Sequence, residues 1–243
     1  MSRLEVEGVT VRFGGRTALA EVSLTIEPGV VTGLIGPNGA GKTTLFNCIT
    51  GMQAADAGRI VFNGDDINRY SPGRRARAGM ARTFQRLELF LSLSVRDNVR
   101  VAGDIAKANT RWRFDVDAET NRILELTGLG DVADDEVSSL PTGRARVVEV
   151  ARALMVRPQL LLLDEPASGQ TQHETERFAD LLRSLADDGM AVCLVEHDLP
   201  LVMGLCNQVH VLDHGVLIAS GFPAEVQQSP QVIEAYIGAG VSS

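Results

Sequence analysis

The chain has 243 residues, 44% of them hydrophobic, and a formal net charge of −8 at pH 7. That length and apolar content suit one sizeable domain or a core with an inserted lobe, and the acidic balance argues against a general nucleic-acid binder. Cys48, Cys193 and Cys206 form no CxxC pair, His173, His197, His210 and His214 show no zinc spacing, and no apolar run reaches the ~20 residues that span a bilayer. The opening stretch Met1 to Glu7 lacks the apolar segment of a signal peptide. The expectation is a soluble, cytoplasmic protein that meets a membrane only through a partner.

Residues 3 to 35 read as short alternating strands broken by Gly14-Gly15 and Pro28-Gly29. Phe13 falls among them and, taken alone, is a core residue. The apolar run Val30 to Ile35 reads as a buried strand, and Leu45 to Ile49 as a helix. Between them stands Gly36-Pro37-Asn38-Gly39-Ala40-Gly41-Lys42-Thr43-Thr44, which fits G-x-x-x-x-G-K-[ST]. Such a loop lets backbone N–H groups and a helix N-terminus close around an anion. Lys42 then reaches the β- and γ-phosphates of a nucleoside triphosphate, and the Thr43 hydroxyl binds Mg²⁺.

A strand and turn follow over Gly58 to Gly64. The basic cluster Arg69, Arg74, Arg75, Arg77, Arg82 and Arg86 reads as a solvated helix and loop, because few aromatics are interleaved with it. Val95 to Val99 and Ala118 to Leu126 read as helices, with Lys107 to Asp117 between them as a polar, exposed excursion. Leu160 to Leu163 predicts a strand buried on both faces, and two carboxylates, Asp164 and Glu165, emerge at its C-terminal end. That edge of an α/β sheet is where ligands sit. Asp164 suits the Mg²⁺ shell and Glu165 the attacking water. Ala191 to Val195 makes a second such strand before Glu196, and Val209 to Leu212 with Val216 to Ile218 reads as a hairpin. The alternation implies an α/β core with a mainly parallel sheet, an N-terminal antiparallel β region and an inserted α-helical subdomain.

These pieces together resemble the nucleotide-binding subunit of ABC transporters over essentially the whole chain. The resemblance implies one cassette, with residues 1–85 and 155–243 as core and about 86–154 as helical subdomain. It places Phe13 against adenine, Gln85 at the loop that touches Mg²⁺ and senses the membrane partner, and His197 on the γ-phosphate. Leu140, Thr142 and Gly143 fall in the signature motif, which completes the ATP site of a second cassette. The stretches Ala81 to Arg86, Glu196 to Met203 and Pro230 to Gly238 are similar to the ATPases of branched-chain amino-acid importers. That likeness implies ATP and Mg²⁺ as cofactors, integral-membrane permease subunits and a second ATP-binding subunit as partners, and an indirect link to a solute-binding protein. It places the chain peripherally on the cytoplasmic face of the membrane, with no nucleic acid expected. An exporter ATPase for lipid or lipopolysaccharide, or a soluble ABC ATPase acting on ribosome or DNA, is the alternative.

Two stretches depart from the family's pattern. Leu140-Pro141-Thr142-Gly143-Arg144 stands where it has L-S-G-G-Q, so Pro141 removes a hydroxyl and an amide donor. Arg144 adds a charge that favours phosphate instead. Ser168-Gly169-Gln170-Thr171 stands where the family usually has S-G-L-D. Both departures concern what the chain gives its partner, and they imply an asymmetric pair of ATP sites.

Overall fold

The computed structural model describes residues 3–109 and 113–240, the side chains of the last four excepted. Two strands open the chain, β1 (Leu4–Phe13) and β2 (Arg16–Ile26), and β3 (Val31–Ile35) runs through the phosphate loop into α1 (Lys42–Thr50). Next come β4 (Ala57–Phe62), β5 (Asp65–Asp66), α2 (Pro72–Arg77) and the short β6 (Met80–Arg82). Three helices follow: α3 (Val95–Asn109), α4 (Val116–Leu126) and α5 (Thr142–Leu154). Then strands and helices alternate: β7 (Leu160–Asp164), α6 (Gln172–Asp187), β8 (Ala191–Val195), α7 (Leu199–Leu205), β9 (Gln208–Asp213) and β10 (Val216–Gly221). Two helices, α8 (Pro223–Gln227) and α9 (Pro230–Gly240), close the chain.

The strands form two sheets. One is antiparallel, in the order β2-β1-β4-β5; the other runs β10-β9-β3-β8-β7-β6 and is parallel except for the β9–β10 hairpin. All residues of β3, β7 and β8 are buried, as continuous apolar runs covered on both faces must be. Successive side chains on a strand point to opposite faces, so these strands feed two cores. Leu161, Leu163, Val192 and Leu194 join the core that includes α5, α6 and α7. Leu160, Leu162, Ala191 and Cys193 join the core that includes α1 and the antiparallel sheet. The phosphate loop and the end of β7 therefore sit at one edge of a sheet held from both sides.

Local chemistry sets the helix starts. Asp115 caps α4 by accepting from the Asp117 and Ala118 N–H groups, Thr171 and Glu174 make a reciprocal cap on α6, and Asp198 caps α7 through Leu201 N–H. The polar excursion expected over Lys107 to Asp117 is shorter than that. Helix α3 runs on to Asn109 and α4 begins at Val116, while residues 110–112 of the expected excursion lie outside the described residues. All three cysteines are buried and unpaired. Among the described residues, no helix is long and apolar enough to cross a membrane.

Candidate active site

Helix α1 starts at Lys42, capped by Gly41 at φ 108°. The first-turn N–H groups of a helix have no partner four residues back, so those of Lys42, Thr43 and Thr44 are available to a ligand. Gly36 closes the other end of the loop at φ 148°, and a Cβ there would lie 1.9 Å from the Leu212 carbonyl oxygen. The Lys42 ammonium donates to the carbonyls of Gly36 (2.7 Å) and Pro37 (3.0 Å). Burial pushes its pKa down, while Glu165 and then Asp164 push it back up. Asp164 at the end of β7 and Glu165 just after it thus act electrostatically on the lysine of the loop.

Asp164 ends β7 almost fully buried, and Glu165 follows in the left-handed region at φ 51°, its N–H bonded to the Val195 carbonyl at 2.9 Å. Glu165 Oε1 lies 2.8 Å from His197 Nε2, and Gln85 Nε2 lies 3.4 Å from both Glu165 oxygens. Phe13 is 53% exposed and is no core residue. It lines a cleft of about 530 Å³ together with Asn38, Gly39, Ala40, Gly41, Lys42, Thr43, Thr44, Gln85, Glu165 and His197. Five separate segments of the chain are thereby brought to one place. Gly36 and Pro37 reach it through the Lys42 bonds.

Leu140, Thr142 and Gly143 do not line this cleft. Leu140 precedes α5 and packs against the core that includes that helix, while Thr142 and Gly143 open α5 after its N-cap residue Pro141 and pack on the chain's own Gly169 and Gln170. A Cβ on Gly143 would meet Gln170 Cγ at 2.9 Å. Arg144 is not free to favour phosphate as expected: its guanidinium is bonded to both oxygens of Asp131 and to the Gly128 carbonyl.

Several contributors escape sequence reasoning. Arg75 and Arg82, read above as solvated, are buried. Arg75 donates to the Cys48 and Ile49 carbonyls at the end of α1 and to the Tyr70 carbonyl, closing that helix. Arg82 pairs with Asp164 at 3.0 Å. Arg146 and Glu149 on α5 form a buried pair (2.9 Å) that grips the Gln85 segment: Arg146 donates to the Phe84 and Gln85 carbonyls, and Glu149 accepts from Glu88 N–H. Glu196 is buried and accepts from the N–H groups of Ala167 and His197; burial raises its pKa. Its place at a strand end was the one signal the sequence offered.

A phosphate loop at a sheet edge, with an acidic strand end and a histidine converging on it, is the geometry of a cassette ATPase. Residues 19–168 match the family model described as ABC transporter. The chain belongs to the ABC transporter ATP-binding family. Residues 216–242 match a second model, Branched-chain amino acid ATP-binding cassette transporter. The cassette is 37% identical to the high-affinity branched-chain amino acid transport ATP-binding protein BraF of Pseudomonas aeruginosa, over 98% of this chain and 99% of BraF. It is 36% identical to LivG of Escherichia coli, of the same description, over 97% of each. It is 34% identical to the lipopolysaccharide export system ATP-binding protein LptB of Escherichia coli, over 98% of each. The ADP conformation of MJ1267, an ATP-binding cassette of an ABC transporter, superposes with a TM-score of 0.87 at 31% identity, over 98% of this chain and 99% of that one. The cassette is thus a nucleotide-binding ATPase with the α/β P-loop fold of its family, whose members act with membrane permease components and dimerise.

Proposed function

We propose that this cassette is the energy-coupling subunit of an importer for branched-chain amino acids, working on the cytoplasmic face of a membrane against a permease and a second cassette. The observation that carries the substrate class is the C-terminal match over 216–242, together with BraF and LivG. The same match sets the lipopolysaccharide exporter reading aside.

The chemistry is phosphoryl transfer from ATP to water, in which the protein positions groups and stabilises charge. Phe13 stacks on adenine at the rim of the cleft. The loop from Gly36 to Thr44 holds the phosphates through main-chain N–H groups, with Lys42 on the β- and γ-phosphates. Glu165 Oε1 is bound to His197, so Oε2, 3.4 Å from Gln85 Nε2, is the oxygen assigned to accept a proton from the attacking water, and His197 is assigned to the γ-phosphate. The donor set suits Mg²⁺: a hydroxyl from Thr43, a carboxylate oxygen from Asp164, and the amide oxygen of Gln85, whose Nε2 is the atom engaged with Glu165. When bound there, Mg²⁺ neutralises phosphate charge. We further assign 86–154 as the subdomain that moves with the permease, and Leu140, Thr142 and Gly143 as groups given to the partner's ATP.

The test is reconstitution of the cassette with its permease, its partner cassette and a solute-binding protein in proteoliposomes. ATP hydrolysis is expected to rise when the binding protein carries leucine, and labelled leucine to accumulate. Glu165→Gln is expected to keep ATP binding and lower turnover and uptake together by about 100-fold or more. Normal turnover in that variant removes Glu165 as base; hydrolysis indifferent to leucine, isoleucine and valine removes the substrate class.

A further inference from the structure

Arg82 ends β6, three residues before Gln85, and its side chain is 6% exposed. Nη2 lies 3.0 Å from Asp164 Oδ2, and the Asp164 side chain is 3% exposed. Nη1 donates to Asn47 Oδ1 at 2.6 Å. The guanidinium also lies over the rings of Phe46 and Phe84, at 5.5 and 5.1 Å. Asn47 and Phe46 belong to α1, the helix that begins with Lys42 and Thr43. One planar cation therefore ties together α1, the segment leading to Gln85, and the end of β7.

A buried ion pair is weak evidence for stability, because desolvating two charges offsets most of their attraction. What such a pair does supply is geometry. A guanidinium presents donors in a rigid fork, so it fixes both the distance and the plane of the groups it bridges. Here the fork spans from the α1 amide to one carboxylate oxygen of Asp164. The bond it makes to Asp164 is to Oδ2, and it sets how far Asp164 stands from the helix carrying Thr43.

We propose that Arg82 is a positioning residue for the divalent cation: it holds Asp164 Oδ2, leaves Oδ1 to the metal, and keeps that oxygen in register with the Thr43 hydroxyl through Asn47. This rests on Asp164 and Thr43 being the cation's ligands, as assigned above. Lysine carries the same charge on a single point and cannot span Asn47 and Asp164 as a fork.

The experiment compares Arg82→Met, Arg82→Lys and Asn47→Ala with the native cassette, with Asp164→Asn as control. Fluorescent ADP binding is read in EDTA, Mn²⁺ affinity by electron paramagnetic resonance with ADP present, and unfolding by calorimetry. Arg82→Met is expected to bind ADP in EDTA within about twofold of native and Mn²⁺ at least ~10-fold more weakly, the range seen when outer-shell partners of metal ligands are removed. Arg82→Lys is expected to restore part of the Mn²⁺ affinity, and Asn47→Ala to lose a smaller part. Native Mn²⁺ affinity in a folded Arg82→Met overturns the proposal, as does a parallel fall of both affinities that tracks lost stability. If Arg82→Met does not fold, native Mn²⁺ affinity in both Arg82→Lys and Asn47→Ala overturns it equally. Should Asp164→Asn itself bind Mn²⁺ as the native chain does, the ligand assignment has failed and takes this proposal with it.

Discussion

Gly36 and Gly39 occupy the same loop with different constraints. At Gly36 an added Cβ meets the Leu212 carbonyl at 1.9 Å, whereas at Gly39, with φ 79°, it meets nothing within 4 Å. Gly39→Ala is expected to cost only the left-handed backbone strain, about 1 to 2 kcal/mol. Gly36→Ala adds a backbone clash, for roughly 3 kcal/mol or more in total, and moves the loop off β9. Denaturant unfolding of the two variants separates them; equal losses would mean the loop relaxes away from Leu212. The letters of the phosphate loop, Asp164 and Glu165 were legible because each motif is a local string with its own chemistry. Arg82 was not, because its partner lies 82 residues away and nothing in the neighbouring sequence marks it as buried. The same holds for Arg75, whose acceptors are the carbonyls of another helix.

Elements were legible where period and caps agree. The strands β3, β7 and β8 stand within a residue of where their apolar runs place them. Helix α3 runs well beyond Val99, through Gly103 to Asn109. That glycine sits in close packing: a Cβ would meet Met155 Cε at 2.4 Å and Val116 Cγ1 at 2.9 Å, so the methionine side chain has to swing aside for one to fit. Helix α4 is tied to the far side of the same lobe by Glu119, which accepts from Arg122 on its own helix and Arg157 beyond α5. Arg122 first, and then Arg157, hold the Glu119 carboxyl down at about 2 against the upward push of burial. A carboxyl depressed in the folded state stabilises it above its ordinary range and loses that contribution as pH falls from about 4.5 towards 2. Glu119→Gln is therefore expected to melt lower than native at neutral pH and to converge with it near pH 2. Parallel melting curves at every pH would show that the pair contributes nothing.

Across the whole molecule, β7 serves two cores at once and ends in the acidic pair, so the edge that carries the chemistry is braced from both faces. The start of α5 is built differently. Pro141 caps α5 without a side-chain or amide donor. On the reading that this residue faces a second cassette's γ-phosphate, Pro141→Ser returns a donor whose absence costs on the order of 3 kcal/mol of transition-state stabilisation. A homodimer of the native chain is expected to turn over slowly, and the Pro141→Ser homodimer to gain up to ~100-fold in kcat with a similar KM. Since serine is also a better helix cap, the melting temperature is followed alongside; a rise there with kcat unmoved would assign Pro141 to folding alone.

The contact between Gly143 and Gln170 gives the two unusual stretches a common meaning. Gln170, which departs from the family pattern, packs against Gly143, and Thr142, which also departs from it, packs against Gly169, so a side chain at either glycine has to push its neighbour aside. The two departures therefore belong to one patch of packed residues, and a change in either stretch is felt by the other.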